Sequence, residues 1–294
     1  MILAKLRGGL SNQMFQYSAA RRLAHRRGAE LRLDASWYAK IPRGATPRAF
    51  ELHHFNICAA MATPWDIIGT DGVRETPPRH LPVAIWRKLR GRPRFVAERQ
   101  FNFNPAILDL PDDVCLFGYW VSEKYFLDIA PIIRQELTVW EPISTENARI
   151  LQRMKETASV SLHIRRGDYA HDPRVNRIHG TCSPEYYAAA VAYVAARVPD
   201  PRIFVFSDDL EWARENMNLR YPTEYISHNQ GLSSHEDLRL MSSCRHHIIA
   251  NSGFSWWGAW LDPRPDKIVC APRRWFAEAS YDTRDVLPEP WVAL

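Results

Sequence analysis

The chain has 294 residues, 46% hydrophobic and 24% charged, which is too long for one ordinary α/β layer and too short for three domains; two globular domains of ~100 to 200 residues are expected. A net charge of +5 is a modest excess that could serve nucleic acid, an anionic membrane face or a phosphorylated small substrate. Much of it lies in Arg21 to Arg32 and Arg87 to Arg99, where solvated helix faces account for most such charge. Five scattered cysteines (Cys58, Cys115, Cys182, Cys244, Cys270), odd in number and without a C-x-x-C pair, argue against a disulfide framework and a structural zinc.

The start, MILAKLRGGLSNQ, is interrupted by Lys5 and Arg7, and no later stretch reaches the ~18 uncharged apolar residues of a membrane helix. Neither signal peptide nor anchor is expected, and a reducing cytoplasm is the simplest home. A short strand, Ile2 to Leu6, leads through Arg7-Gly8-Gly9 into a helix from Ser11 to Arg27 closed by Gly28, then a strand at Leu31 to Leu33. From Pro42 to Pro111 prolines recur and the periodicity fades, so few elements can be placed. A strand at Val114 to Trp120 and a helix from Glu123 to Leu137 follow.

After Pro142 apolar β-rich runs alternate with helical stretches. Strands are expected at Val160 to Ile164, Ile203 to Phe206, Glu224 to Ile226, His247 to Ala250 and Ile268 to Cys270. The helices between them run from Pro184 to Arg197, Leu210 to Met217, Ser234 to Cys244 and Phe254 to Leu261. That alternation argues for an α/β fold with a parallel, doubly wound sheet. With the β-loop-α start it suggests two Rossmann-like domains facing each other across a cleft, divided as 1–150 and 151–294.

Polar residues sit where strands end, the ligand side of such sheets. His163-Ile164-Arg165-Arg166-Gly167-Asp168 is the strongest group, because paired guanidinium forks at a strand end suit a diphosphate. Arg165 is read as the anion contact, while Arg166 and Asp168 serve equally as a loop-pinning pair; His163 is a nucleotide contact or a satisfied core histidine. Asn251-Ser252-Gly253-Phe254-Ser255 opens an aromatic helix, where Ser252 and Ser255 suit either a phosphate cradle or ordinary capping. Trp256, Trp257 and Trp260 read as packing. Asp208 and Asp209 are base or ribose readers, or a helix cap. Gly8 and Gly9 form a tight turn lacking the Lys of a P-loop; Asn12 and Gln13 would orient sugar hydroxyls or cap the helix.

Three segments in this order, GGLSNQMFQYSAARRLA, HIRRGDY and LMSSCRHHIIANSGFSWWGAWL, resemble the α-1,2-fucosyltransferase family (glycosyltransferase family 11) of bacteria and animals. The resemblance implies a GT-B type fold, GDP-fucose as donor, inversion at the anomeric carbon, no metal or other cofactor, and a galactose-containing glycan acceptor joined at its 2-hydroxyl. It makes 1–150 the acceptor-side domain and 151–294 the GDP-fucose domain. Carried over by position, Arg165 would contact the diphosphate with His163 and Arg166 nearby, Asp208 or Asp209 would read guanine or ribose, and Asn251, Ser252 and Ser255 would lie near the phosphates. Ser11 stands where glycine is usual, and Gly253 where a small hydroxyl residue is usual.

Inversion calls for a base opposite the departing GDP. Asp168 is the first choice, with Asp172 and Glu185 as alternatives. A bacterial, cytoplasmic enzyme acting on lipid-linked or polysaccharide intermediates is expected, with the basic stretch Arg87 to Arg94 near the anionic inner membrane. Nucleic acid is not expected as a partner, since the arginines of interest sit at strand ends and no binding motif is present. A fucosyltransferase of another linkage or acceptor is the alternative among enzymes; a nucleic-acid-binding protein and an inactive GDP-sugar-binding module are the alternatives from other classes.

Overall fold

A computed structural model describes residues 1–67, 93–229 and 231–294 and divides the chain into two compact units, Met1–Glu136 and Leu137–Leu294. The sheet of unit 1 contains β1 (Ile2–Lys5), β2 (Leu31–Asp34), β3 (Ala60–Met61), β4 (Arg94–Ala97) and β5 (Val114–Phe117). All pairs are parallel, in the order β3-β2-β1-β5-β4. Ile2, Leu3 and Ala4 are buried because the central strand of a parallel sheet is covered on both faces. Its helices are α1 (Leu10–Arg27), α2 (Ser36–Ala39), α3 (Pro64–Ile67) and α4 (Ala130–Glu136).

Arginines of the first basic cluster are largely spent inside this unit. Arg21 pairs with Glu136 at 2.8 Å and Arg22 with Asp128 at 2.9 Å. Arg27 donates to the carbonyls of Leu110 and Asp109, and Arg32 pairs with Glu30 and Asp66. The expected helix over 123–137 is instead two 3-10 turns, Glu123–Tyr125 and Leu127–Ile129, followed by α4. Pro131 explains the break: it has no N–H to donate, and its ring would strike the carbonyl of Leu127 in a continuous helix, so the helix restarts with proline in its first turn.

Unit 2 runs α5 (Thr145–Glu156), β6 (Ala158–Ile164), α6 (Gly167–His171), α7 (Pro173–His179), α8 (Pro184–Ala195), β7 (Pro201–Ser207) and α9 (Leu210–Asn216). It continues with β8 (Thr223–Ile226), α10 (Ser234–Ser243), β9 (His246–Ile248), α11 (Gly253–Leu261), β10 (Val269–Ala271) and β11 (Val292–Ala293). Its strands form one parallel sheet in the order β11-β10-β9-β6-β7-β8. The boundary falls at 136/137 rather than 150/151. Helix α5 belongs to unit 2 because it packs on α10, and buried Asn147 donates to Asn229 and Glu236 at 3.0 Å each.

Strand β6 separates two environments by its two-residue period. Val160, Leu162 and Ile164 join Tyr187, Val191 and Val194 of α8 in the apolar core. Ser161 and His163 point the other way. There Ser161 Oγ meets His247 Nδ1 at 2.9 Å, and His247 Nε2 meets Asp262 at 3.0 Å, all buried. Arg264 Nε donates to the same Asp262 carboxylate at 2.7 Å.

No described helix is long and apolar enough to cross a membrane. Of the basic stretch Arg87 to Arg94, residues 87–92 lie outside the described residues, and Arg94 is exposed on β4.

Burial depresses the His247 imidazole to about 4 even though Asp262 pulls it upward, so the folded ring is neutral at pH 7. An unfolded histidine takes its proton near ~6.5. The unfolded chain therefore binds this extra proton as pH drops below that value, and the stability held by the neutral ring is complete above the window and lost across it. In urea denaturation, His247→Gln should cost about 1–3 kcal/mol at pH 7 and give a shallower loss of stability between pH 7 and 4.5. An unchanged slope would reject this assignment.

Candidate functional site

In unit 2, β7 and β8 follow β6 to one side of the sheet, while β9, β10 and β11 lie on the other. The strand order reverses between β6 and β9, and the crevice beyond the carboxyl ends of strands at such a reversal is where open parallel sheets bind ligands. The two strongest motifs leave the sheet there, one after Ile164 and the other after Ile248.

Arg165 is held between two carboxylates. Its guanidinium donates to Asp168 at 2.5 Å and pairs with Asp208 at 2.8 Å, and it lies 5.1 Å from the centre of the Tyr169 ring. The second oxygen of Asp208 accepts the backbone N–H of Arg166 at 2.8 Å. A Cβ on Gly167 would run into that carboxylate, so the absence of a side chain is what lets the loops after β6 and β7 meet. Arg166 reaches Asp209 at 3.3 Å and lies 3.8 Å from the centre of the Trp212 ring. Asp209 also caps α9 by accepting the N–H of Trp212 at 3.2 Å. The structure thus brings Arg165, Arg166, Asp168, Asp208 and Asp209 together as alternating charges. Each aspartate expected to read a base or ribose is engaged by an arginine.

His163 lies under this cluster, 5% exposed, with Nδ1 buried and lacking a hydrogen-bond partner among the described residues. Burial, helped by the nearby Arg165 charge, lowers its pKa to about 3, so it is a neutral imidazole with a polar nitrogen unspent.

At the end of β9 the polar groups are turned inward. Asn251 donates to the carbonyls of His179 and Trp275 at 2.9 and 3.2 Å, while its oxygen faces Cys182 Sγ at 3.5 Å. Its amide therefore braces three chain segments. Ser252 caps α11 by accepting the N–H of Phe254 at 3.3 Å; Ser255 donates to the carbonyl of Ser252 and accepts the N–H of Ala250. Trp256, Trp257 and Trp260 are buried, with Trp256 donating to the carbonyl of Val286 at 2.7 Å.

In unit 1 the glycine turn leads into α1. Gly8 sits at φ +80°, with the Asn12 side chain folded against it, and the carbonyl of Gly9 accepts the N–H groups of Asn12 and Gln13. Buried Gln13 donates to the carbonyls of Gly8 and Ala49 at 3.1 and 2.7 Å and accepts the N–H of Glu51 at 2.9 Å. Its amide ties the turn at Gly8 to the segment 49–51, and among the described residues no side chain caps the start of α1. Gln16, which sequence reasoning passed over, accepts the N–H of Arg7 at 3.0 Å and donates to its carbonyl at 3.3 Å.

The polar loop after β8 gathers buried partners that sequence reasoning did not name, Asn147 and Asp237. Asn147 bonds His228 at 2.6 Å and Asn229, and Asn229 donates to Asp237 at 2.9 Å. Burial raises the Asp237 carboxyl to about 7 despite the Asn229 bond, with Glu236 pushing the same way. A buried Asn one turn into α5 was the available signal. Tyr169 and His179 stack 4.4 Å apart, with Phe276 beside His179.

Gly167→Ala should displace Asp208 and loosen both its bonds, costing about 1–3 kcal/mol of stability in urea denaturation, while Ser252→Gly, at a cap, should cost only a few tenths. Equal effects at the two positions would contradict the close approach of Asp208.

The profile of glycosyl transferase family 11 matches residues 106–294. The O-antigen biosynthesis glycosyltransferase WbnK of Escherichia coli is 35% identical over 297 residues, covering 92% of this chain and 94% of that protein. An alpha-1,2-colitosyltransferase of Escherichia coli is 32% identical over 300 residues, covering 100% and 99%. Among solved structures, an Arabidopsis thaliana FUT1 mutant in complex with GDP superposes with a TM-score of 0.51 at 11% identity, over 91% of this chain and 69% of that one. That likeness concerns the fold, which is the GT-B type of the fucosyltransferases. By profile and by full-length relatives alike, this chain belongs to glycosyl transferase family 11 and is a glycosyltransferase.

Proposed function

We propose that the protein is an inverting fucosyltransferase that moves L-fucose from GDP-fucose to the 2-hydroxyl of a galactose in a cell-surface glycan or its lipid-linked precursor. The observation that carries this reading is the arginine pair at the end of β6, Arg165 and Arg166, oriented by Asp168, Asp208 and Asp209 at the strand-order reversal of unit 2. Negative charge gathers on the departing diphosphate as the C1–O bond breaks, and pre-aimed guanidinium donors stabilise it without reorganising. Arg165 spends donors on two carboxylates and retains others for phosphate oxygens. The guanidinium donors left over from these ion pairs would bind the departing diphosphate by hydrogen bonds, and the reaction is proposed to run on them without a metal. Neutral His163, with Nδ1 unspent, supplies a hydrogen bond to the nucleotide.

Each candidate base has a competing partner. Asp168 is bound by Arg165. Hydrogen bonds from Arg174 hold Asp172 down to about 2, and the Ser183 hydroxyl lowers Glu185. Lowering Asp172 and Glu185 makes them weak proton acceptors, and Asp168 is occupied by its ion pair, so the arginines bear more of the catalysis than any carboxylate here. Work at the inner membrane face is part of the proposal, following WbnK's role in O-antigen biosynthesis.

A second donor is favoured by one observation, the 32% identity along the whole chain with an alpha-1,2-colitosyltransferase. Colitose is fucose without its 3-hydroxyl, so the same diphosphate site would serve either sugar.

Purified protein should be incubated with GDP-fucose or GDP-colitose and with lactose or N-acetyllactosamine, in EDTA, and the products analysed by mass spectrometry and linkage analysis. A 2-linked fucosyl product is expected, with Arg165→Ala lowering kcat/KM about 10²–10³-fold. Transfer from GDP-colitose alone would move the donor assignment, and dependence on added metal would overturn the metal-free mechanism.

A further inference from the structure

We infer that the carboxyl-end crevice of unit 1, between β1 and β5, is a binding site for a neutral saccharide in which Arg7, Tyr119 and Glu98 make the contacts, and that this is where the acceptor glycan is selected. The acceptor role rests on the glycosyl-transfer reading above; the saccharide site rests on unit 1 alone.

The sheet of unit 1 has its own reversal of order, with β2 and β3 on one side of β1 and β5 and β4 on the other. The rule that locates the ligand crevice in unit 2 therefore locates a second one here. Three side chains converge on it from the ends of three strands: Arg7 beyond β1, Tyr119 beyond β5 and Glu98 beyond β4.

The Arg7 guanidinium lies 4.4 Å from the centre of the Phe117 ring and 4.2 Å from that of Tyr119. Its Nε is buried with no hydrogen-bond partner, and no carboxylate lies within ion-pair distance of it among the described residues. Gln16 fixes its backbone from both sides. An arginine whose position is set by backbone bonds and two rings, with its N–H donors unspent, is unlike Arg21, Arg22 and Arg32 of the same unit, each paired with a carboxylate.

Glu98 holds the other side. Its two oxygens accept the N–H groups of Tyr119 at 2.6 Å and Trp120 at 3.0 Å. That clamp fixes Trp120, buried and at φ +58°, and with it the pitch of the Tyr119 ring. Each carboxylate oxygen keeps acceptor capacity for a hydroxyl.

The combination selects the ligand class. A pyranose presents aliphatic C–H groups that pack on aromatic rings, and a rim of hydroxyls that match a planar donor fork and a carboxylate. Arg7 and Glu98 offset each other's charge, so the site offers an anion no net attraction, while its separate donor and acceptor groups both remain open to hydroxyls. Gln13 is spent on Gly8, Ala49 and Glu51, whereas the Arg7 guanidinium keeps its donors at the end of β1.

The test combines binding and kinetics. Saturation-transfer NMR with galactose, lactose and N-acetyllactosamine is recorded on the wild type, Arg7→Gln, Arg7→Lys and Tyr119→Leu, with thermal melting as the folding control and GDP titration in parallel. The expected result is saccharide signal in the wild type that Arg7→Gln and Tyr119→Leu abolish. Acceptor KM should rise about 10- to 100-fold in Arg7→Gln and less in Arg7→Lys, with donor KM and GDP affinity within about twofold. Saccharide signal absent from the wild type, or retained with unchanged acceptor KM in folded Arg7→Gln and Tyr119→Leu, overturns the inference. The saccharide arm is read whether or not GDP binds, so loss of the nucleotide reading would show separately, as failure of the GDP titration.

Discussion

A guanidinium at the end of a buried strand must be compensated where it stands, and the charge balance around Arg165 organises unit 2. Asp168 comes from the same loop and Asp208 from the neighbouring strand, so the balance also ties β6 to β7 beyond their last ladder pair, Ile164 with Ser207. Gly167 has no side chain because Asp208 occupies that space. His163 stays neutral because burial and the Arg165 charge both oppose its protonation. These are separate consequences of placing one cation at the mouth of a parallel sheet. An arriving anion meets donors that are already aimed, and it exchanges partners with the carboxylates instead of ordering a mobile side chain.

The two units use the same topological device with different chemistry. In unit 2 the arginines at the reversal are met by carboxylates in direct ion pairs. In unit 1 Arg7 is met by aromatic rings, and Glu98 is occupied with backbone N–H groups. In one unit the guanidinium is held by ion pairs, in the other by ring faces and its own backbone bonds.

Much of the second half was legible because strands of a parallel sheet are long apolar runs bounded by polar loops. Those expected at 160–164, 203–206, 224–226, 247–250 and 268–270 coincide with β6 to β10 to within a few residues. The first half resisted for physical reasons. Strand β3 has two residues, both exposed, and β4 is a four-residue edge strand, so neither carries a periodic apolar signature. Pro131 sat inside an otherwise convincing helical pattern. At the site, residue types single out Arg165, Arg166 and Asp208 as candidates, but not who pairs with whom. Asn251, Ser252 and Ser255 look alike on paper whether they face a phosphate or the chain, and their hydrogen bonds in the fold run to the chain. Asp237 was hidden inside a helix, where only tertiary burial singles it out.

Every described strand of the first sheet lies between residues 2 and 117, and every strand of the second between 158 and 293. No described strand crosses from one half of the chain to join the other sheet. During synthesis, therefore, the first sheet can close while the second half is still being translated, a process that at ~5–20 residues per second leaves many seconds for it. The growing chain hides its first apolar strands early, and the aggregation hazard of unpaired parallel strands falls mainly on the later half, whose central strand β6 waits for β9, some 80 residues downstream, before both its edges are covered.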